Sequence, residues 1–483
     1  MPFIKEDIVR FQPDNAGSKK FNLYWGEEVN VLSYSAGKTQ IEVLERSTTP
    51  IKGSVKGRLP TQDKRPLHFM MIDVQQGDGM VLITPKKKII FLDGGDNKLF
   101  ARFVANRFRG SSATSPLAVD AMIISHGDAD HYQGLNDIVK SEKNTTLRKR
   151  LFIHPKRVYH NGIVKGPSKK NGKRVKAEEM FGQTAPYKST GLVITDLVED
   201  LTSVNISRLN RPFRSWQKSL KHWQKHGAIT FKRLARGNMR EFSFLKKEGI
   251  KVDVLGPFEK TVKVGNKRVK GLEFFRKPPK DANISVTGFD PKDREFDAGH
   301  TINGQSIALR VQYGNVRFFF GGDLNQESMA LLNKKYTAEE LQSEVLKVPH
   351  HGSADFDHAV LKKISPVISL ISSGDESSRK EHIHPRATLM GALGKVARND
   401  VSLVFSTELA AFFAYRGPSK TLDGKLRFFY GFERTNYGIV HIRTDGERML
   451  VFTHSGKEGM NEAYRLDVDE NHKVSLAKEI KKR

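Results

Sequence analysis

The segment Ser125-His126-Gly127-Asp128-Ala129-Asp130-His131 decides the fold that we predict for this chain. It follows the apolar run 121–124, which indicates a buried strand that ends in a loop. Two imidazoles and two carboxylates crowded together are costly to bury unless a cation lies among them. Nitrogen and oxygen ligands suit Zn, Mn or Fe, and the absence of thiolates argues against a closed structural zinc site. The segment therefore predicts an open metal site. The simpler alternative, Asp130 as the N-cap of a helix, explains one of the four side chains.

Bulk composition favours a polyanionic partner. The 483 residues suffice for two or three domains, and the formal charge is +27 with 81 Lys and Arg against 54 Asp and Glu. Nucleic acid is the first candidate partner, and an anionic membrane or cell-wall polymer is the second. The absence of cysteine excludes disulfides and thiolate chemistry. The chain start lacks the apolar core of a secretory signal, and no apolar run approaches the ~18 residues of a membrane span, so we expect a cytoplasmic protein.

Residues 1–60 are predicted to form a small β-barrel, because short alternating strands are separated by Gly and Ser turns. The pattern resembles an SH3-like module. Two interpretations stay open: the module docks a protein partner or the chain's own basic insert, or it is a structural appendage of the domain that begins near residue 66.

Further motifs extend the metal loop into a family resemblance. The spacing HxDxDH over His126 to His131 is similar to the metallo-β-lactamase superfamily signature. The stretch 72–79, IDVQQGDG, followed by a strand that ends in Asp93-Gly94, resembles the soluble domain of ComEC-type competence proteins. Gln75 stands where that family has glycine. The resemblance implies that Asp93 braces the metal loop from behind rather than binding metal.

The resemblance resumes after residue 299. The stretch 301–314 resembles the family's Asn-x-x-Ser strand, and Gly321-Gly322-Asp323 resembles its Gly-Asp motif, whose carboxylate bridges two metals. His350-His351-Gly352-Ser353 matches the HHGS motif, with His351 as a ligand and His350 over the substrate. His384-Pro385 matches a His-Pro pair, in which His384 polarises the scissile phosphate or donates a proton to the leaving oxygen; His382 is an added candidate.

Residues 140–299 are interpreted as a basic insertion that shapes substrate access. A helix is predicted over 212–226, closed by Gly227. On it Trp216, Leu220 and Trp223 share one face, which is either core or a surface on which bases stack. The candidate nucleic-acid-binding residues are Lys169, Lys170, Lys173, Arg174, Lys218, Lys221 and Lys225. Five histidines between the motifs are left unassigned: His154, His160, His222, His226 and His300.

The predicted class is α/β: a four-layer αβ/βα sandwich over 66–455, as the resemblance implies, preceded by the module at 1–60 and followed by a polar, basic and mobile tail at 456–483. Two divalent ions, Zn or Mn, are expected. His126 and Asp128 would hold one ion, Asp130, His131 and His351 the other, and Asp323 would bridge them. Asp130, His350 and His384 are the candidate catalytic residues. The predicted activity is phosphodiester hydrolysis of DNA or RNA; the alternatives are a phosphodiesterase on a small or cell-wall substrate, and a nucleic-acid-binding scaffold with a structural metal site.

Overall fold

The N-terminal strands alternate between solvent and a small core of their own. In this computed structural model, which describes residues 2–47, 49–277, 295–374, 384–398, 402–420, 424–436, 438–455 and 461–479, the first strands are β1 (Phe3–Ile4), β2 (Ile8–Pro13), β3 (Phe21–Tyr24), β4 (Val29–Ser35), β5 (Lys38–Val43), β6 (Ile51–Lys56) and β7 (Thr61–Gln62). Strands β2 to β6 form an antiparallel sheet of order β3-β2-β6-β5-β4. Alternate side chains such as Phe11, Ile41 and Val55 are buried between them. The N-terminal part is all-β, as expected.

Strands and helices then alternate as far as residue 273. They are β8 (Leu67–Met71), β9 (Gly79–Ile83), β10 (Ile89–Gly94), α1 (Leu99–Arg107), β11 (Leu117–Val119), β12 (Ala121–Ile123), α2 (Ala129–Tyr132), α3 (Asn136–Ser141), β13 (Ile153–Pro155), β14 (Arg157–His160), β15 (Lys169–Lys170), β16 (Lys173–Arg174), β17 (Thr184–Tyr187), β18 (Gly191–Ile194), α4 (Arg211–Trp223), β19 (Thr230–Arg233), β20 (Ile250–Gly256), β21 (Glu259–Val264) and β22 (Lys267–Glu273).

The C-terminal part repeats this alternation and ends in strands. Its elements are α5 (Ala298–Gly304), β23 (Ala308–Tyr313), β24 (Val316–Phe320), α6 (Gln326–Lys335), α7 (Ala338–Leu341), β25 (Val345–Lys347), α8 (His358–Ile364), β26 (Ile368–Ile371), α9 (Ala387–Val396), β27 (Leu403–Ser406), β28 (Glu408–Lys420), β29 (Leu426–Asn436), β30 (Ile439–Thr444), β31 (Arg448–His454), β32 (Ala463–Val468) and β33 (Val474–Glu479).

Two mixed sheets enclose the main core. One has the order β19-β14-β12-β10-β9-β8-β30-β31-β32-β33, and the other has the order β20-β23-β24-β25-β26-β27. Because side chains alternate along a strand, Phe69 faces Phe318 and Phe320 of the other sheet, whereas its neighbour Met70 faces outward. Helices α1, α3 and α4 cover the outer face of the ten-stranded sheet, and α6, α8 and α9 cover that of the six-stranded sheet. The chain is thus a mixed α/β structure with helices outside two packed sheets.

Parallel strands position the functional loops. Strand β10 runs parallel to β12, and in the other sheet β24, β25 and β26 run parallel to one another. The carboxyl ends of parallel neighbours lie at the same edge of a sheet. The loops that follow these strands are therefore brought together, although they lie far apart in sequence.

Three expectations need correction. Residues 301–304 belong to helix α5 rather than to a strand, and the strand begins at Ala308. Residues 463–468 and 474–479, expected in a mobile tail, pair with the ten-stranded sheet as β32 and β33. Within the predicted insertion, β14 and β19 belong to the ten-stranded sheet and β20 to the six-stranded sheet. The sequence of β14, β19 and β20 does not show which sheet each strand joins, because their partner strands are distant in sequence. Among the described residues, no helix combines the length and apolarity needed to span a membrane.

Candidate metal centre

Five predicted ligands converge at the meeting edge of the two sheets. His126, Asp130 and His131 follow β12, Asp323 follows β24, and His351 follows β25. Their donor atoms form two overlapping groups, His126 with His131 and Asp323, and Asp130 with His131 and His351; within each group all donor atoms lie within 4.8 Å of one another. His131 Nε2 is 3.3 Å and His351 Nε2 is 3.2 Å from Asp323 Oδ2. The structure therefore brings together side chains that are more than 200 residues apart.

Asp128 lies differently from the expectation that it binds the same ion as His126. Its Oδ1 is 3.0 Å from Lys165 Nζ, and it belongs to neither group of converging donors. Asp128 also occupies the N-cap position of α2, where its side chain accepts no capping hydrogen bond. The alternative that Asp130 caps this helix is wrong, because Asp130 lies inside α2.

Asp93 supports the metal loop from behind. Its Oδ1 accepts from the Ser125 amide at 2.7 Å, and its Oδ2 accepts from the Ser125 hydroxyl at 2.7 Å and lies 3.0 Å from His131 Nδ1. An imidazole whose Nδ1 faces a carboxylate presents Nε2 to a metal. Asp93 thus occupies the place that the predicted bracing role requires.

Asn303 and Ser306 carry side-chain contacts that the sequence analysis did not assign. Ser306 Oγ accepts from the Asp323 amide at 3.0 Å and lies 3.2 Å from His126 Nδ1. Asn303 Nδ2 is 3.4 Å from His350 Nε2. The available signal was the Asn-x-x-Ser spacing, which indicated a strand and gave no role for its polar side chains.

Asp78 and Lys347 form a fully buried ion pair beside the same carboxylates, and neither residue was predicted as part of the site. Lys347 Nζ also donates to the Gly322 carbonyl at 3.1 Å and lies 3.8 Å from Asp323 Oδ1. Asp78 Oδ1 is 3.5 Å from His351 Nδ1. A lysine inside the apolar strand β25 was the available signal, because an unpaired lysine is rarely buried.

Nearby carboxylates raise the pKa of two of the imidazoles. Burial lowers the pKa of His351, but the carboxylates of Asp323 and Asp78 outweigh it and raise this pKa to about 10. The pKa of His131 is raised well above its ordinary value, because Asp323, Asp93 and Asp130 outweigh burial. Burial also raises the pKa of Asp130 to about 6. The buried carboxylates of this cluster therefore favour a positive charge among them, which a divalent cation can supply.

The buried polar atoms that have no hydrogen-bond partner indicate whether these residues fit a metal. Within the described part of the chain, His126 Nε2, His131 Nε2, His351 Nε2 and Asp323 Oδ1 are shielded from solvent and make no hydrogen bond. A buried polar atom without a partner costs about 1–3 kcal/mol. Because these atoms are imidazole nitrogens and a carboxylate oxygen, they fit a first-row divalent metal. The buried His/Asp clusters could therefore bind metal.

Four residues other than glycine in the same loops have a left-handed backbone conformation. His350 and His351 adopt φ values of 49° and 53°, Asp93 one of 55° and Gln75 one of 63°. Such left-handed conformations in residues other than glycine cost about 1–3 kcal/mol each and concentrate at functional sites. Gln75 is thus left-handed at the position where the similar family has glycine. At Gly77 a Cβ atom would lie 1.7 Å from the Asp130 carbonyl oxygen, so this position requires glycine.

A cavity of about 250 Å³ opens onto the cluster. Its lining includes Asp128, Asp130, His350, His351 and His384, and the ring centroids of His350 and His384 are 6.1 Å apart. The three candidate catalytic side chains therefore share one cavity. His382 lies outside the described residues.

The predicted nucleic-acid-binding residues lie on two separate surfaces. Lys169, Lys170, Lys173 and Arg174 form the exposed β15–β16 hairpin. Lys218 and Lys221 are exposed on α4, and Lys225 is exposed on the 3₁₀ turn that follows it. Trp216 and Trp223 are 1% and 0% exposed and pack in the core outside the ten-stranded sheet. The alternative that bases stack on these tryptophans is therefore wrong.

A basic groove of about 1400 Å³ adjoins the cavity. Eight of its lining residues are Lys or Arg and three are Asp or Glu, and the hairpin residues Lys169 and Arg174 are among them. Lys165 lines this groove and contacts Asp128, which lines the metal cavity. The groove and the metal centre are thus joined through one ion pair.

Comparison with known proteins gives little further information. No protein-family model and no curated protein matches the chain. Among solved structures, the chain is similar to a protein described as "Putative metal-dependent hydrolase from Parabacteroides distasonis ATCC 8503", with 9% sequence identity and a TM-score of 0.28 over 79% of this chain and 98% of the other. That likeness is too weak to support an argument about function.

Proposed function

We propose that this protein is a metal-dependent hydrolase that cleaves phosphodiester bonds in nucleic acid. The observation that carries the proposal is the convergence of His126, His131, Asp323 and His351, with their unpartnered donor atoms, beside an open cavity. A purely structural metal site needs neither the cavity nor the strained backbone at His350 and His351. The proposal includes a relation to the metallo-β-lactamase superfamily and to its ComEC-type members, together with a catalytic domain that begins near residue 66 and an SH3-like N-terminal module at 1–60.

Each side chain has a proposed role. When bound, divalent ions polarise a phosphoryl oxygen and activate water. Asp323 and the imidazoles fix the position of the ions, and Asp130 orients the attacking water. His350 and His384 also line the cavity, where one can contact a phosphate oxygen and the other can pass a proton to the leaving group.

The basic groove supports a polymeric substrate. A polyphosphate backbone is neutralised by Lys and Arg with release of counterions. A chain lying along Lys169 and Arg174 would pass Lys165 before it reached the cavity. A small diester needs only the cavity, which has a volume of about 250 Å³. A phosphodiesterase that acts on such a small substrate is therefore the second candidate, and it is favoured if the protein does not cleave polymers.

The test compares plasmid, single-stranded DNA, RNA and a chromogenic diester, each with Mn²⁺ or Zn²⁺. Asp130→Ala is expected to lower cleavage at least about 100-fold. Asp137→Ala is the matched control, because Asp137 pairs with Lys140 within α3 and belongs to neither group of converging donors, and it should cleave at the wild-type rate. Binding of nucleic acid without cleavage by the metal-loaded wild type would refute hydrolysis and favour the scaffold. Turnover of the small diester alone would move the proposal to the second candidate.

A further inference from the structure

Three side chains distant from the candidate metal centre form another cluster of potential ligands. Glu142 directly follows α3, His222 lies in the last turn of α4, and His226 ends the short 3₁₀ turn Gln224–His226 that continues α4. Their donor atoms lie within 4.8 Å of one another. We propose that Glu142, His222 and His226 form a second site, which binds Zn²⁺ and attaches α4 to the end of α3.

The hydrogen bond already present leaves two polar atoms without partners. His222 Nε2 lies 2.8 Å from Glu142 Oε2. Glu142 Oε1 and His226 Nε2 are shielded from solvent and make no hydrogen bond within the described part of the chain, and the Glu142 side chain is only 10% exposed. A simple ion pair between Glu142 and His222 does not account for these two atoms.

The ligand chemistry matches zinc. Two imidazoles and one carboxylate are a common zinc ligand set, in which water completes the coordination. Histidines four residues apart project from the same side of a helix, so His222 and His226 approach one ion together. Because all the ligand atoms are nitrogen and carboxylate oxygen, Ca²⁺ and Mg²⁺, which prefer oxygen alone, fit less well.

Zinc at this site would link two parts of the molecule. Helix α3 follows the metal loop, whereas the N-terminal end of α4 provides Arg211 and Arg214 to the basic groove. A second contact already joins the two helices, because the Ser219 hydroxyl donates to Asn136 Oδ1 at 2.6 Å. The ion would therefore hold one wall of the groove against the domain that carries the candidate metal centre.

The test counts zinc in the full chain after dialysis, using elemental analysis with circular dichroism as the check of folding. His226→Gln and, separately, Glu142→Gln should each lose one zinc per chain relative to the wild type. His358→Gln is the matched control, because His358 is exposed on α8, and it should retain the wild-type content. If both cluster variants are folded and retain the wild-type content, the proposal is overturned.

A second arm separates this site from the candidate metal centre. In an Asp323→Asn/His351→Gln background one zinc should remain, and adding His226→Gln should remove it. Co²⁺ in the same background should give visible absorption bands that also depend on His226. Zinc that persists without His226 would overturn the proposal. A background that loses neither zinc nor manganese relative to the wild type contradicts the proposed function instead. The second site is then still judged from the effect of His226→Gln.

Discussion

Replacing Glu45 by Gln should destabilise the folded protein by about 3 kcal/mol at pH 7. Glu45 Oε1 lies 2.9 Å from Arg65, and Oε2 lies 2.8 Å from Arg107 of α1. Burial raises the pKa of Glu45, but Arg107, Arg65 and Arg443 outweigh it, so the pKa falls from 4.5 to about 2. Each pKa unit corresponds to about 1.4 kcal/mol, which gives the expected loss.

The sign of the pH dependence follows from the lowered pKa. The contribution of Glu45 is complete above pH 4.5, the value that the unfolded chain has, and it disappears as the pH falls through about 2. At pH 3 the same relation leaves about 1 kcal/mol. The cost of the substitution should therefore shrink by about 2 kcal/mol between pH 7 and pH 3.

Urea unfolding at the two pH values, followed by circular dichroism and tryptophan fluorescence, measures this difference. Glu42→Gln is the matched control on β5, the strand that precedes Glu45, because its partner Lys52 lies 3.7 Å away and is mostly exposed. It should cost less than about 1 kcal/mol. If Glu45→Gln proved as mild as the control at pH 7, or if its cost did not change with pH, the reasoning from the arginine cluster would be wrong.

Three other outcomes are expected. Single-stranded DNA should leave the protein's tryptophan emission unchanged, because Trp216 and Trp223 are buried; quenching on titration would contradict this. Lys347→Met should lower the free energy of unfolding by about 3–5 kcal/mol, since it leaves the Asp78 carboxylate buried without its cation, and calorimetry should find part of this loss restored by adding Asp78→Asn. The pKa of His300 is raised because three carboxylates, Glu327 first, outweigh burial, so its stabilisation is complete below pH 6.5 and is lost as the pH rises through the raised pKa; His300→Gln should therefore cost more in urea unfolding at pH 6 than at pH 10.

The local sequence was sufficient to predict the elements that carry the metal loop. The apolar run before His126 predicted a buried strand, and β12 covers Ala121–Ile123. The spacing of apolar residues predicted α4 within a few residues of its observed bounds. These predictions succeed because hydrophobic periodicity and capping act within one or two turns of chain.

Sequence alone did not assign Asp78, Lys347 or Ser306 to the site, nor did it predict that Asp128 pairs with Lys165. Each of these roles depends on a partner between 17 and 269 residues away, as the numbering of the pairs gives. The two strands at 463–479 also depend on pairing, because β32 pairs with the edge of β31 and β33 pairs with β32.

The order of residues along this chain therefore determined which groups can donate to a metal and where the strand and helices nearest to the metal loop lie. Only the tertiary structure decided which donors meet, because parallel strands from two sheets bring their carboxyl ends to a common edge. At that edge, burial raises the free-energy cost of every unpaired charge. A charged side chain is therefore stable there only beside a suitable partner, and the linear sequence does not show which residue that partner is.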